Sequence, residues 1–199
     1  MHYYFIIYKP YLVLSQFTKE NDKHQTLKDV FNVPGNVYAV GRLDNDSEGL
    51  LILTNDASLN HQLLNPSFKH EREYWVQVDG AITQQAMHEL QKGVTINVDG
   101  KAYRTKPCKV RLLNEPAVPV RNPPIRFRKN IPTSWISITL TEGKNRQVKK
   151  MTAKVGFPTL RLIRYRIEAI NIEGMQPGDM IEISKQMLMQ KLFKDPGSR

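Results

Sequence analysis

At 199 residues the chain suits one domain, or one domain split into two lobes, and it is long enough to bury a sizeable core. No apolar run approaches the roughly 20 residues of a membrane span, and the start, MHYYFIIYKP, has no basic leader and no small-residue cleavage site, so a soluble cytoplasmic protein is expected. A single cysteine, Cys108, excludes an intrachain disulfide, and the five histidines show no ligand spacing, so neither a structural nor a catalytic metal is expected.

The net charge of +10 is unevenly placed. Residues 1–100 hold 8 Lys+Arg against 12 Asp+Glu, whereas residues 101–199 hold 21 against 7. Eight basic residues and no acid lie between Lys144 and Arg166, and nine against the single Glu115 between Lys101 and Lys129. Such a distribution points to a polyanion, and a nucleic-acid surface is preferred over a solvated face.

The predicted elements alternate. YYFIIY (3–8) reads as a strand closed by Lys9-Pro10, with a second strand in LVLSQF. TLKDVF reads as a short helix with Thr26 near its N-cap, and VYAVGRLD as a strand. LLILT is a fully apolar strand, and the leucine spacing of ASLNHQLL is helical. REYWVQVDG (72–80) alternates as a half-buried strand, and TQQAMHELQKG is a helix between the cap Thr83 and the stop Gly93. VTINVDG and KAYRTKPCKVRLL form a hairpin about Asp99-Gly100, with Cys108 as a structural strand residue. After a strand in SWISITL come a helix from about Asn145 to Val155, the alternating strand LRLIRYRI, a last strand in MQPGDMIEIS and a helix over about 185–194. Strands joined mostly by hairpins, with a few helices, predict an α+β fold on a largely antiparallel sheet. Residues 114–133 hold five prolines and form a long basic loop, read either as a mobile segment facing a polyanion, with Phe127 among its cations, or as a surface insertion without a role. Neither a repeat of 20–50 residues nor a glycine-rich phosphate loop occurs, so no nucleotide cofactor is expected.

The segment GRLDNDSEGLLILTND (41–56) is the strongest candidate for chemistry. Asp44 follows Leu43 at the end of a predicted strand, where a carboxylate kept ionised by nearby cations can act as a nucleophile. From spacing alone the reading as a turn aspartate stays open. Asp46, Ser47 and Glu48 read as turn and capping residues. Tyr74 alone is a strand aromatic, and Lys149 alone a surface charge.

Four segments resemble, in order, the motifs of the bacterial ribosomal RNA pseudouridine synthases, the group that joins the small-subunit enzyme to the B, E and F types acting on the large ribosomal subunit. They are YKP with LVLSQ, then GRLDNDSEGLLILTND, HEREYWVQVDG, and TEGKNRQVKKMTAKVGFPTLRLIRYRI, and the similarity spans about Tyr4 to Ile183. The resemblance implies a pseudouridine synthase fold, with a sheet in two lobes flanked by helices and a central active-site cleft. It implies catalysis by Asp44, with Tyr74 as the active-site tyrosine and Lys149 as the basic residue. Most relatives carry a small RNA-binding domain ahead of the first motif. Here that motif starts at about residue 4, so a single catalytic domain over 1–199 is expected, as in the E-type branch.

The implied reaction isomerises one uridine of ribosomal RNA, foremost 23S rRNA free or in an assembly intermediate of the large subunit, after flipping it from its stack. It needs no cofactor. Expected RNA contacts are Arg42, Arg121, Arg126, Arg128, Lys129, Lys144, Arg146, Lys150, Arg161, Arg164 and Arg166; Arg42 either fills the vacated stack or serves a structural ion pair. A monomer is expected. The rival reading is a non-catalytic RNA-binding or ribosome-assembly protein on the same fold, which would not require Asp44, Tyr74 and Lys149 together.

Overall fold

The computed structural model describes residues 1–125 and 131–193. The chain divides into two compact units, Met1–His70 with Arg164–Arg199, and Glu71–Ile163. The first opens with β1 (Tyr4–Lys9), β2 (Val13–Leu14), β3 (Gln25–Thr26), α1 (Leu27–Val30), β4 (Tyr38–Ala39), β5 (Glu48–Thr54) and α2 (Ala57–Leu64). The second contains β6 (Arg72–Asp79), α3 (Gln84–Lys92), β7 (Thr95–Val98), β8 (Lys101–Arg104), β9 (Lys109–Leu113), β10 (Thr133–Leu140) and α4 (Gln147–Lys154). Strand β11 (Thr159–Ile167) carries the chain back into the first unit, which ends with β12 (Ile170–Asn171), β13 (Met180–Glu182) and α5 (Lys185–Leu192).

In the first unit the strand order is β13-β1-β5-β11, with β4 on β5 and β12 on β11. β1 and β5 run antiparallel from Tyr4↔Thr54 to Lys9↔Gly49, and every residue of both is buried. Burial on both faces explains why their sequences show continuous apolar runs instead of alternation. Phe5, Ile7, Leu51 and Leu53 point to one side, where they meet Val13, Leu27, Phe31 and Val37. The helix α1 is only four residues long and starts at a capping box, with the Thr26 amide donating to Asp29 Oδ2 at 2.8 Å.

The second unit has the strand order β11-β6-β10-β9. β10 pairs antiparallel with β6 from Thr133↔Asp79 to Leu140↔Arg72 and with β9 from Trp135↔Leu113 to Thr139↔Lys109. Its core joins Val76, Val78, Ile136 and Ile138 of the sheet to Met87 and Leu90 of α3 and Val148 and Met151 of α4. Thr83 caps α3 by accepting from the Ala86 amide at 3.1 Å. The α+β class and the antiparallel character therefore hold.

Three predicted strands are shorter than their sequences suggest. LVLSQF is extended only at Val13–Leu14, and VYAVGRLD only at Tyr38–Ala39, because Gly41 turns the backbone into the left-handed region at φ 71°. Cys108 lies between β8 and β9, where Pro107, lacking an amide hydrogen, breaks the pairing. Its thiol donates to the Leu90 carbonyl at 3.2 Å, and burial together with the charge of Glu142 pushes it up to about 12, which leaves it unreactive. Residues 114–125 and 131–132 contain neither helix nor strand.

Two positions in the segment 41–56 fix the first unit. Gly49, at φ 106°, faces the backbone of β11: a Cβ there would lie 2.4 Å from Arg164 O and 2.8 Å from Arg164 N. Asp56 caps α2 through Oδ1, which accepts from the Ser58 and Leu59 amides at 3.1 and 3.2 Å. Its Oδ2 accepts from Tyr4 Oη at 2.8 Å and Lys185 Nζ at 3.0 Å, tying β1, α2 and α5 to one carboxylate. Burial alone would raise the Asp56 carboxyl, but the hydrogen bonds from Lys185, Tyr4 and Leu59 outweigh it and hold it at about 2.

Gly49→Ala combines a positive φ with backbone overlap, and a loss of about 3 kcal/mol or more in unfolding free energy is expected by chemical denaturation. Because the folded value of Asp56 lies below the ordinary 3.8, its stabilisation is complete above about pH 4 and is lost as the pH falls towards 2. Asp56→Asn should lower Tm at neutral pH and flatten the dependence of Tm on pH in that window, measured by thermal melts.

Candidate active site

Asp44 lies in the loop between β4 and β5, and not at a strand end as its sequence context suggests. Its position is set by backbone bonds on both sides. Ser15 Oγ donates to the Leu43 carbonyl at 2.8 Å and accepts from the Leu43 amide at 3.0 Å, so one hydroxyl clamps the residue ahead of Asp44. The Ser47 amide donates to the Asp44 carbonyl at 3.0 Å, closing a turn, and the Leu12 amide donates to the Asn45 carbonyl at 2.9 Å. Gly41 admits Leu64 beside it, since a Cβ there would stand 2.9 Å from Leu64 Cδ2. Asp44 itself is half-buried, and Arg42 is exposed. Beside it, Asn45 Oδ1 and Ser47 Oγ are buried with no hydrogen-bond partner among the described residues. Buried polar atoms without a partner inside the protein are uncommon.

Tyr74 and Lys149 belong to the second unit. Tyr74 stands on β6 opposite Ile138, partly buried against the core that α4 also covers. Lys149 is half-buried on α4, flanked by the buried Val148. That helix begins after Arg146, which takes a left-handed conformation at φ 53°, so it starts two residues later than its sequence predicts.

The expected RNA-contacting cations fall into distinct settings. Arg42, Lys144 and Arg146 are exposed, and Arg121, Lys150 and Arg166 are half-buried. Arg121 Nε donates to the Pro123 carbonyl at 2.8 Å, within the proline-rich loop. Arg161 and Arg164 are only 6% and 5% exposed, and Arg164 Nε donates to the Leu50 carbonyl at 2.8 Å, so it braces β5 from within. Arg126, Phe127, Arg128 and Lys129 lie outside the described residues. Ser15 was not singled out by sequence; it sits in a segment read as strand, and nothing local announces its bond to residue 43. Glu142 and Gln147 were likewise missed, although both stand within the last motif.

Residues 3–154 match the RNA pseudouridylate synthase family profile. The chain is 52% identical over 178 residues to ribosomal large subunit pseudouridine synthase E of Vibrio parahaemolyticus, covering 89% of this chain and 72% of that protein. It is 45% identical over 173 residues to the protein of the same name from Xanthomonas axonopodis pv. citri, covering 86% and 89% of the two chains. The crystal structure of a pseudouridylate synthase superposes with a TM-score of 0.78 at 25% identity, over 96% of this chain and 74% of that one. The chain belongs to the RNA pseudouridylate synthase family. It is an isomerase that converts uridine in RNA to pseudouridine.

Proposed function

We propose that this enzyme modifies a specific uridine of the large-subunit ribosomal RNA, 23S rRNA, as a cytoplasmic monomer with Asp44 as its catalytic carboxylate. The observation that carries the reading is the GRLD aspartate on a loop held by hydrogen bonds at Leu43, Asp44 and Asn45. The names of the Vibrio and Xanthomonas relatives support the choice of large-subunit RNA.

The chemistry accounts for the residue set. The bond between ribose C1′ and uracil N1 breaks, the freed ring turns while held, and a bond forms from C1′ to C5. The proton on C5 leaves as N1 gains one, so no electrons are exchanged with an outside reagent. Asp44 acts on the sugar or the ring as the carboxylate. Lys149 is the basic residue of the set, and Tyr74 offers a ring for the extruded base and a hydroxyl for proton transfer during re-aromatisation. Unstacking the target costs a few kcal/mol, which phosphate contacts from the basic segments 101–129 and 144–166 offset.

Purified protein incubated with transcribed 23S rRNA fragments, read by chemical mapping, should yield one pseudouridine, and Asp44→Asn should yield none while binding the same RNA. Loss of binding with loss of activity would instead give Asp44 a structural role. Affinity should fall by about 10³ or more between 50 and 200 mM salt, and Lys144→Ala should reduce the slope of log K against log salt by roughly 1. A salt-independent affinity would remove the electrostatic account.

A further inference from the structure

The acids of this chain are not all explained by the reaction, and the one nearest Lys149 in sequence is Glu142. It is 6% exposed, between the end of β10 and the start of α4. A carboxylate taken out of water is strongly destabilising unless donors replace its hydration. Glu142 has three of them. Its Oε1 accepts from the Lys106 amide at 2.9 Å and from Gln147 Nε2 at 2.6 Å, and its Oε2 accepts from Tyr103 Oη at 2.5 Å.

These bonds reach α4 directly. Gln147 is the first residue of that helix and is 4% exposed. Its Oε1 accepts from the Lys144 amide at 2.9 Å while its own amide donates to the Lys144 carbonyl at 3.1 Å. The Lys144 ammonium then stands 4.9 Å over the centre of the Tyr103 ring. Helices usually begin at a side chain that caps the first free amides. Here the residue before α4 is Arg146 in a left-handed conformation, with no side-chain cap bond. The first turn is instead tied to Glu142 through the Gln147 side chain.

We propose that Glu142 is a positioning residue for the reaction: bridging Tyr103, Lys106 and Gln147, it fixes the first turn of α4 and so the placement of Lys149 two residues further on. This rests on the reading of Lys149 as an active-site residue. The Glu142 carboxylate never meets substrate in this account. It acts through geometry, and an error of about 1 Å in a catalytic group can slow a reaction about 100-fold.

Glu142→Gln removes the charge and keeps the hydrogen-bonding shape. A glutamine at 142 can still accept from Lys106 and Gln147 through its carbonyl oxygen, while its amide donates to the Tyr103 hydroxyl. Alanine offers none of these bonds.

The test is the single-turnover rate on a saturating 23S rRNA fragment, with Kd measured separately and folding checked by thermal melts, for E142A, E142Q, K149A and E142A/K149A. E142A should be about 100-fold slower with Kd within about threefold, E142Q should stay within about fivefold of the native rate, and the double variant should be no slower than K149A alone. A native rate in E142A beside a slow K149A overturns the positioning role, as does a double variant slowed by the product of the two single effects. An E142Q as slow as E142A overturns it too. If K149A keeps the native rate, the reading of Lys149 fails, and the inference with it. Should E142A not fold, Gln147→Ala severs the same link one step nearer the helix and is judged by the same criteria.

Discussion

Strand β5 is buried along its whole length, and the first unit is organised around what that burial demands. A strand with both faces covered must satisfy its backbone internally and be approached closely on each side. On one side Lys9 of β1 pairs with Gly49, and beyond Gly49 the absence of a Cβ lets the Arg164 backbone close in. The same contacts propagate to the loop ahead of the strand. The buried Lys9 ammonium donates to the carbonyls of Pro10 and Val13 at 2.8 and 2.6 Å, fixing β2, and Ser15 immediately after β2 clamps Leu43. The proposed catalytic carboxylate is thus held at the end of a chain of short bonds that begins in the core.

The carboxylates of this molecule stand in two kinds of surroundings. Asp56, Glu73 and Glu142 are all at least nine-tenths buried and each collects several donors. Glu73 Oε1 alone accepts from Trp75 Nε1, Arg111 and Ser137 at 3.1, 3.0 and 2.8 Å. These charges tie strands and helices together, and removing donors from any of them would leave a buried charge under-solvated. Asp44 is half-buried, on a loop where Asn45 Oδ1 and Ser47 Oγ have no hydrogen-bond partner among the described residues. A carboxylate that must act on substrate needs a fixed backbone and access at the same time, and this loop combines them.

The elements with a one-dimensional signature are legible in the sequence alone. Thr26 and Thr83 announce helices, Gly93 ends one, and the short apolar, β-branched and aromatic runs of β1 and β5 read as buried strands. The family is legible too, because four ordered motifs carry it. Loop geometry is not. VYAVGRLD leaves the sheet where Gly41 turns left-handed, and the residue beside that glycine, Leu64, is 23 positions away in sequence. The delayed start of α4 depends on Arg146 adopting a left-handed backbone, which an arginine rarely does and which its sequence therefore does not signal. Ser15 bonds residue 43, and Glu142 collects Tyr103 and Lys106 from far back in the chain, so only its bond to Gln147 falls within one motif.

Charge is where composition is most easily over-read. The second half of the sequence is strongly basic, yet its cations are not equivalent. Arg161 and Arg164 are buried, and Arg164 is committed to the Leu50 carbonyl. Lys109 and Arg111 pair with Glu71 and Glu73 at 2.6 and 3.0 Å but remain 78% and 69% exposed. The solvent-reached Lys109–Glu71 pair adds little to stability, whereas Arg111 serves the buried Glu73; the outer faces of both cations stay accessible to a phosphate. Lys101, Arg104, Lys106, Lys144 and Arg146 are exposed and lie in sequence about the two segments that Glu142 joins. A polyanion attracted to them would be drawn to the stretch of chain whose shape one buried carboxylate maintains. Long-range attraction and short-range placement would then depend on the same local structure, the first through its exposed charges and the second through its buried one.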